Sequence, residues 1–284
     1  MTSYKDKVAV ITGGASGIGF AIAQRCMREG MKTVICDIEQ GALDNAEAEL
    51  KLISQGRVYA VKVDVSKAKQ MQALADRVHR DMGSAYLLFN NAGVGGGGCL
   101  WEQDLEDWEW VLGINLMGVV HGIKAFAANM VANNAGHIIN TASVAGLMSA
   151  PNTSTYTVSK HAVVGLSEVL YGDLRNGGHD VGVSVLCPSF VNSKIYNSDR
   201  NRPEGSISED KQAELSAAAD LAGEFFAAAM APADVADLVF QGIEQKRFYI
   251  LTHQGIKAQV EKRMQAIMND GHPSVNGPED YPFE

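Results

Sequence analysis

Cations are scarce in this chain: 24 Lys and Arg stand against 33 Asp and Glu, a net charge of −9, and no basic block occurs. Nucleic acid is therefore not an expected partner, because phosphate backbones are held by clustered cations. Cysteine is scarcer still. Cys26, Cys36, Cys99 and Cys187 have neither metal-ligand nor disulfide-framework spacing. Three of them lie in apolar segments, so buried, reduced thiols in a cytoplasmic setting are the expectation. The seven histidines form no HExxH or His/Cys cluster, so no metal site is expected. No run approaches the roughly 20 apolar residues of a membrane span. The opening MTSYKDKVAVITGG reads as a polar lead into a strand and lacks a signal peptide's apolar core.

What is present is apolar bulk and glycine. Of 284 residues, 46% are hydrophobic and 29 are glycine, enough to bury the core of one large α/β domain or of two smaller ones. Short β-branched runs at Lys7–Thr12, Thr33–Cys36, Arg57–Val63, Tyr86–Phe89, His137–Thr141, Val181–Cys187 and Arg247–Thr252 read as strands. Helical periodicity fills the intervals at Phe20–Glu29, Ala42–Ile53, Lys67–Met82, Asp107–Asn133, Thr153–Leu174 and Ala233–Glu244. That alternation predicts a doubly wound, seven-stranded parallel sheet. Residues 189–231 read as a substrate lid that begins as a long polar loop and ends in an alanine-rich stretch carrying Phe225, Phe226 and Met230. Gln254–Met268 reads as an amphipathic helix, and the Pro/Gly/Asp-rich tail His272–Glu284 as a surface segment or a contact with a neighbouring subunit. Trp101, Trp108 and Trp110 are expected to pack core or interface.

Two stretches carry chemistry. Gly13-Gly14-Ala15-Ser16-Gly17-Ile18-Gly19 lies between the first strand and first helix, the context a dinucleotide phosphate site needs. Asp37, eighteen residues beyond Gly19, ends the second strand, where a carboxylate accepts the ribose hydroxyls of NAD and repels the 2′-phosphate of NADP. Neither Ala15, Ser16 nor Ile38 offers a cation to offset it. In the second stretch Tyr156 and Lys160 fall at i and i+4, on one face of a helix. A nearby ammonium is expected to draw the phenol pKa down from about 10. Ser143 adds a hydroxyl able to hold a substrate oxygen. Taken alone, Tyr-x-x-x-Lys also fits an exposed amphipathic helix.

TGGASGIG at Thr12–Gly19, Asp37, Asp64, NNAG at Asn90–Gly93, Asn115, Ser143 and Tyr156-x-x-x-Lys160 occur in one order. In this the chain resembles the short-chain dehydrogenase/reductase family, TGxxxGxG/YxxxK type, over nearly its whole length to about Thr252. The resemblance implies that Tyr156 is the acid/base, Ser143 orients the substrate oxygen, Lys160 lowers the Tyr156 pKa and binds the nicotinamide ribose, and Asn115 holds a water linking Lys160 to solvent. It also implies a single doubly wound Rossmann-like domain and an NAD site formed by Gly13, Ser16, Gly17, Ile18, Gly19, Asp37, Ile38, Asp64, Val65, Asn91, Ala92, Gly93, Thr141, Tyr156, Lys160, Pro188, Val191 and Ser193, without metal. Two departures stand out: Pro188 is followed by Ser189 where glycine is usual, and Ser193 replaces the usual threonine.

The expected reaction is NAD-dependent oxidation of a secondary alcohol to the ketone, or its reverse. Ala145, Leu147, Met148, Phe190 and the Phe225–Met230 segment are mostly apolar, so the expected substrate is bulky and apolar or aromatic; simple packing of the lid is the competing account. An NADP-preferring carbonyl or 3-oxoacyl reductase and a non-catalytic NAD-sensing protein are the alternatives. Two helices carry apolar positions on more than one face (Val111, Leu112, Val119, Val120, Val163, Leu166, Val169 and Leu170); such helices pair across two-fold axes in the family the chain resembles, which implies a homotetramer, with a dimer second.

Overall fold

A computed structural model describes residues 3–54, 57–203, 205–207 and 209–274. The seven strands are β1 Val8–Thr12, β2 Lys32–Asp37, β3 Val58–Lys62, β4 Ala85–Asn90, β5 His137–Thr141, β6 Gly182–Cys187 and β7 Tyr249–Leu251. They form one wholly parallel sheet in the order β3-β2-β1-β4-β5-β6-β7, with Val10 opposite Val34 and Leu88. Parallel strands covered on both faces read as continuous apolar runs, and every residue of β1 is buried.

The pleat divides those runs between two helical layers. Ala9 and Ile11 face α1 (Gly17–Arg28), α2 (Gln40–Ile53) and α8 (Pro232–Glu244), meeting Ile22, Leu43 and Phe240 in one cluster. Val8 and Val10 face the other way, in a cluster that takes in Leu74 of α3 (Ala68–Met82) and Phe126 of α5 (Met117–Ala132). Each strand therefore contributes to both layers, and the β-to-α crossovers bring the strand ends to one rim.

Four expectations are revised. The long helix predicted over Asp107–Asn133 is two helices, α4 (Leu105–Asn115) and α5, broken at Leu116 (φ −103°, ψ −60°). No proline marks the break; it falls where the Asn115 amide turns aside to the Val94 backbone. The same stretch, Leu105–Ala132, is long and apolar enough to cross a membrane by length and composition, and only a third of its apolar window is buried. The polar loop expected after Ser189 is largely helical: a 3-10 turn spans Lys194–Asn201 and α7 spans Glu209–Ala227. Alanine and glutamate favour helix even where few apolar side chains are buried, and here polarity concealed that propensity. Finally, Trp101 is 83% exposed and packs no core, which leaves an interface as its expected place, whereas Trp108 and Trp110 are partly covered.

The remaining helices are α6 (Ser154–Asn176) and α9 (Ile256–Met268). Fully buried Ile256 of α9 packs against Val144 and Met148, so the chain's last helix supports the segment that follows β5. The predicted tail lies, from residue 275 onward, outside the described residues.

Candidate active site

The strand order reverses between β1 and β4, and a cleft of about 800 Å³ opens beyond their C-terminal ends. Its floor is the glycine turn. Gly13 and Gly17 have φ of +63° and +52°, a region costly for residues with a Cβ. At Gly19 a Cβ would stand 2.1 Å from the Gly13 carbonyl oxygen, so only glycine allows the turn to fold onto α1. The first turn of α1 has no acidic residue, and Ser16 makes no side-chain cap. Its leading N–H groups thus remain available to an anion.

Side chains from three strands fix this floor. The Thr12 hydroxyl accepts N–H bonds from Asn91 (2.9 Å) and Ala92 (3.0 Å), while Asn91 Nδ2 donates to the Thr12 and Gly13 carbonyls. Thr141 Oγ1, from β5, donates to Asn91 Oδ1 at 3.3 Å. Asp37 accepts from three backbone N–H groups, those of Ala15, Ile38 and Glu39. Burial nevertheless raises its pKa, against the pull of those three donors. Asp64 lines the same wall, with Oδ1 held by the Ser66 amide and hydroxyl.

At the other end β5 delivers Ser143. Its hydroxyl accepts from Ala145 N (3.1 Å) and donates to the Pro188 carbonyl (3.3 Å), which also accepts from Val144 N. One turn of α6 separates Tyr156 from Lys160. The Lys160 ammonium, nearly enclosed, donates to the Thr141 carbonyl at 3.0 Å and lies 5.5 Å from the Tyr156 ring centre. Burial lowers the Lys160 pKa to about 8. Burial also raises that of Tyr156, and the Ser143 hydroxyl pulls the other way. Desolvation opposes charge on both groups, and the ammonium is turned to Thr141.

Asn115 and Gly19 are the two predicted site residues that do not line the cleft. Asn115 is fully buried: its amide accepts from Val94 N (2.8 Å) and donates to Val94 O (3.0 Å) and Ser159 Oγ (3.1 Å). It therefore pins the glycine-rich loop to α6. Of the expected substrate contacts, Ala145, Phe190 and Phe226 reach the cleft. Leu147 and Met148 instead pack beside Ile256, and Phe225 backs Phe190 edge-on at 4.9 Å.

Several lining residues escaped sequence reasoning. Tyr196 stacks at 5.3 Å on Phe226, and Lys194, Arg200 and Asn201 of the 3-10 turn face Glu39 and the glycine-turn end. They look like solvated loop residues in the sequence, and no periodicity distinguishes them. The residues fit a nicotinamide dinucleotide. Glycine turn and helix N-terminus suit a pyrophosphate, Asp37 suits ribose hydroxyls, and the Ser143–Tyr156–Lys160 group stands at the far end of the same cleft.

The short chain dehydrogenase family model matches residues 7–204. A dehydrogenase/reductase of CLA biosynthesis from Lactiplantibacillus plantarum is 36% identical over 282 residues, covering 97% of this chain and 98% of that protein. A C alpha-dehydrogenase from Sphingobium sp. (strain NBRC 103272 / SYK-6) is 31% identical over 98% of this chain and 91% of its own length. The crystal structure of a short chain dehydrogenase/reductase from Burkholderia phymatum in complex with NAD superposes with a TM-score of 0.91 at 46% identity, over 98% of this chain and 99% of that one. Alignments this complete, with the glycine turn and the Tyr156–Lys160 pair inside the matched region, make the chain a member of the short-chain dehydrogenase/reductase family.

Proposed function

We propose that this chain is an NAD-dependent oxidoreductase that interconverts a bulky, apolar or aromatic secondary alcohol and its ketone. One observation carries the reading: the Asp37 carboxylate and the Ser143–Tyr156–Lys160 group stand at opposite ends of one continuous cleft. Gly13, Ser16, Gly17, Ile18, Gly19, Asn91, Ala92, Gly93 and Ser193 would hold the dinucleotide's centre. Asp37, Ile38, Asp64 and Val65 would hold its adenosine, and Thr141, Lys160, Pro188 and Val191 the nicotinamide half. When bound, NAD supplies a hydride acceptor and its reduced form a hydride donor.

The chain's own residues handle the proton. Ser143 Oγ receives the substrate oxygen, and Tyr156 removes the hydroxyl proton in oxidation or returns it in reduction. Lys160 places its positive charge beside the phenolate as it forms. A positioned acid/base of this kind contributes typically 10²–10⁴-fold. Phe190, Phe226 and Tyr196 wall the substrate side and exclude water. The aromatic lid supports the substrate class, since these rings offer apolar contact and no cation for a carboxylate.

Arg200 and Lys194 would favour an NADP-preferring reductase were they free to meet a 2′-phosphate. Arg200 is instead committed to Glu39 at 2.7 Å, which leaves Asp37 to repel that phosphate. The chain works as one catalytic domain in the cytoplasm and assembles as a homotetramer through the incompletely covered faces of α4, α5 and α6. The test is a panel of secondary alcohols with NAD or NADP, read by the absorbance of the reduced cofactor. Turnover with NAD and an aryl or long-chain alcohol is expected; turnover confined to NADP, or none with any alcohol or ketone, overturns the reading.

A further inference from the structure

Two arginines fasten the lid, and their burial differs. Arg202 has a side chain 9% exposed. Its Nη1 lies 2.6 Å from Asp107 Oδ1 of α4, its Nε donates to Asp199 Oδ1 at 2.6 Å, and its guanidinium stacks 4.2 Å from the Trp110 ring centre. Arg200, two residues earlier, is 28% exposed. Its Nη2 donates to Glu39 Oε1 at 2.7 Å, and Asn201 Nδ2 donates to the same oxygen at 2.9 Å. The other arm of Arg200 turns inward, with Nη1 donating to the carbonyls of Lys194 (3.1 Å) and Asn197. The guanidinium thus belongs to the 3-10 turn and reaches out of it to a carboxylate on the opposite wall.

Glu39 follows Asp37 by two residues and lines the same end of the cleft. Its side chain does not cap α2, so its own helix makes no use of it. Both of its side-chain partners come from the lid, 161 and 162 residues away. The same lid segment touches the glycine turn: a Cβ on Gly17 would stand 3.1 Å from Ser193 Cβ. The bridge therefore crosses the cleft over the end assigned to adenosine.

We propose that Glu39, Arg200 and Asn201 form the releasable latch of the cofactor cleft. The dinucleotide enters and leaves on the Glu39 side, while Arg202, Asp107 and Trp110 form a hinge that stays shut. This rests on the NAD reading above. The physical reason is the contrast in burial. An exposed ion pair is weak, screened by salt and readily broken. Separating Arg202 from Asp107 would strip the Asp107 carboxylate, only 13% exposed, of its cation, a larger cost, and would also unstack Trp110. When the lid opens, the weaker fastening yields first.

The test measures release of NADH from the full-length protein, by stopped-flow fluorescence during displacement by excess NAD. Glu39→Ala and Arg200→Ala should each speed release about fivefold, the effect of losing an exposed pair of this kind. The double variant should release no faster than either single one, since both remove the same interaction. In the parent, release should quicken as salt rises from about 50 to about 500 mM, and this dependence should be lost in Glu39→Ala. The melting temperature without cofactor should stay within about 1 °C of the parent, as expected of a surface substitution. Unchanged release in both single variants, or effects that multiply in the double one, would overturn the latch. So would a lowered melting temperature with unchanged release, which marks a merely structural pair. A parent that binds NADH while release ignores Glu39 sinks the latch alone; a parent that takes up no NADH sinks the cofactor reading and the latch together.

Discussion

The Lys160 ammonium rests 3.0 Å from the Thr141 carbonyl and 5.5 Å from the centre of the Tyr156 ring. Strand β5 therefore holds the cation that the helix pattern assigns to the tyrosine. With its pKa lowered to about 8, Lys160 is charged at neutral pH, while Tyr156, raised by burial, is a neutral phenol. Replacing Tyr156 with Phe keeps the ring and removes the acid/base. kcat is expected to fall 10²–10⁴-fold, with NADH affinity measured by fluorescence titration unchanged. Turnover near the parent's would reject the assignment.

Lys160 also sets a pH dependence of stability. Its folded pKa, about 8, lies below the unfolded 10.5, so burying the charge costs stability fully below pH 8. The cost disappears as pH rises through 10.5, and its upper bound is about 3 kcal/mol. Lys160→Met should therefore unfold at higher denaturant than the parent at pH 7, and the advantage should shrink between pH 8 and 10. An advantage independent of pH would show that the charge is not the cause.

His137 gives a second window of the same sign at lower pH. Burial, with Arg175 and Lys246 adding to it, lowers its pKa to about 4 from 6.5. The Ser184 hydroxyl donates to the Arg247 carbonyl at 2.6 Å, so the His137 Nε2–H must donate to Ser184. Stability from this neutral ring is complete above pH 6.5 and is lost as pH falls towards 4, by roughly 3 kcal/mol. Melting curves at pH 7.5, 5.5 and 4.5 should show His137→Gln less acid-sensitive than the parent. Parallel curves would remove His137 from the account.

Asp37 predicts the cofactor ratio. With its oxygens fixed by three amides, the carboxylate would meet a 2′-phosphate, and the guanidinium of Arg200 is paired with Glu39. kcat/KM should favour NAD over NADP by at least about tenfold, or about 1.4 kcal/mol. Asp37→Ser with Ile38→Arg should erode or invert that ratio. Equal values in the parent would mean that Asp37 does not meet the ribose.

The assembly prediction changes with the structure. Val111, Val119 and Val163 are buried within the chain and cannot also meet a partner, whereas Val169 on α6 is 64% exposed. Val169→Glu should reduce the mass seen in light scattering, with little change in secondary structure. A tetramer surviving the substitution would place the interface elsewhere.

Local patterns carried most of this fold and site. Strand runs, the glycine turn and the Tyr156–Lys160 spacing each depend on residues within one helical turn or one strand, so order along the chain reveals them. Three features depend on distance in sequence and stayed hidden. The Glu39–Arg200 bridge joins two charges that each look solvated, and the break at Leu116 follows from Asn115 reaching Val94. The Tyr156 shift depends on burial, which spacing does not report. α7 was hidden differently: its helix formers are local, but their polarity resembles a loop.

The Thr12 hydroxyl, shared by the amides of Asn91 and Ala92, makes one rigid chassis of β1, β4 and β5, joined by a few short polar links. The lid shares almost none of these links; among its helix α7's described side chains only Ala219 is buried. Heritable change can therefore recontour the aromatic wall of α7 and the 3-10 turn residue by residue while the redox chassis keeps its shape. Substitutions in that wall would change what the cleft accepts and leave in place the frame that positions the redox chemistry.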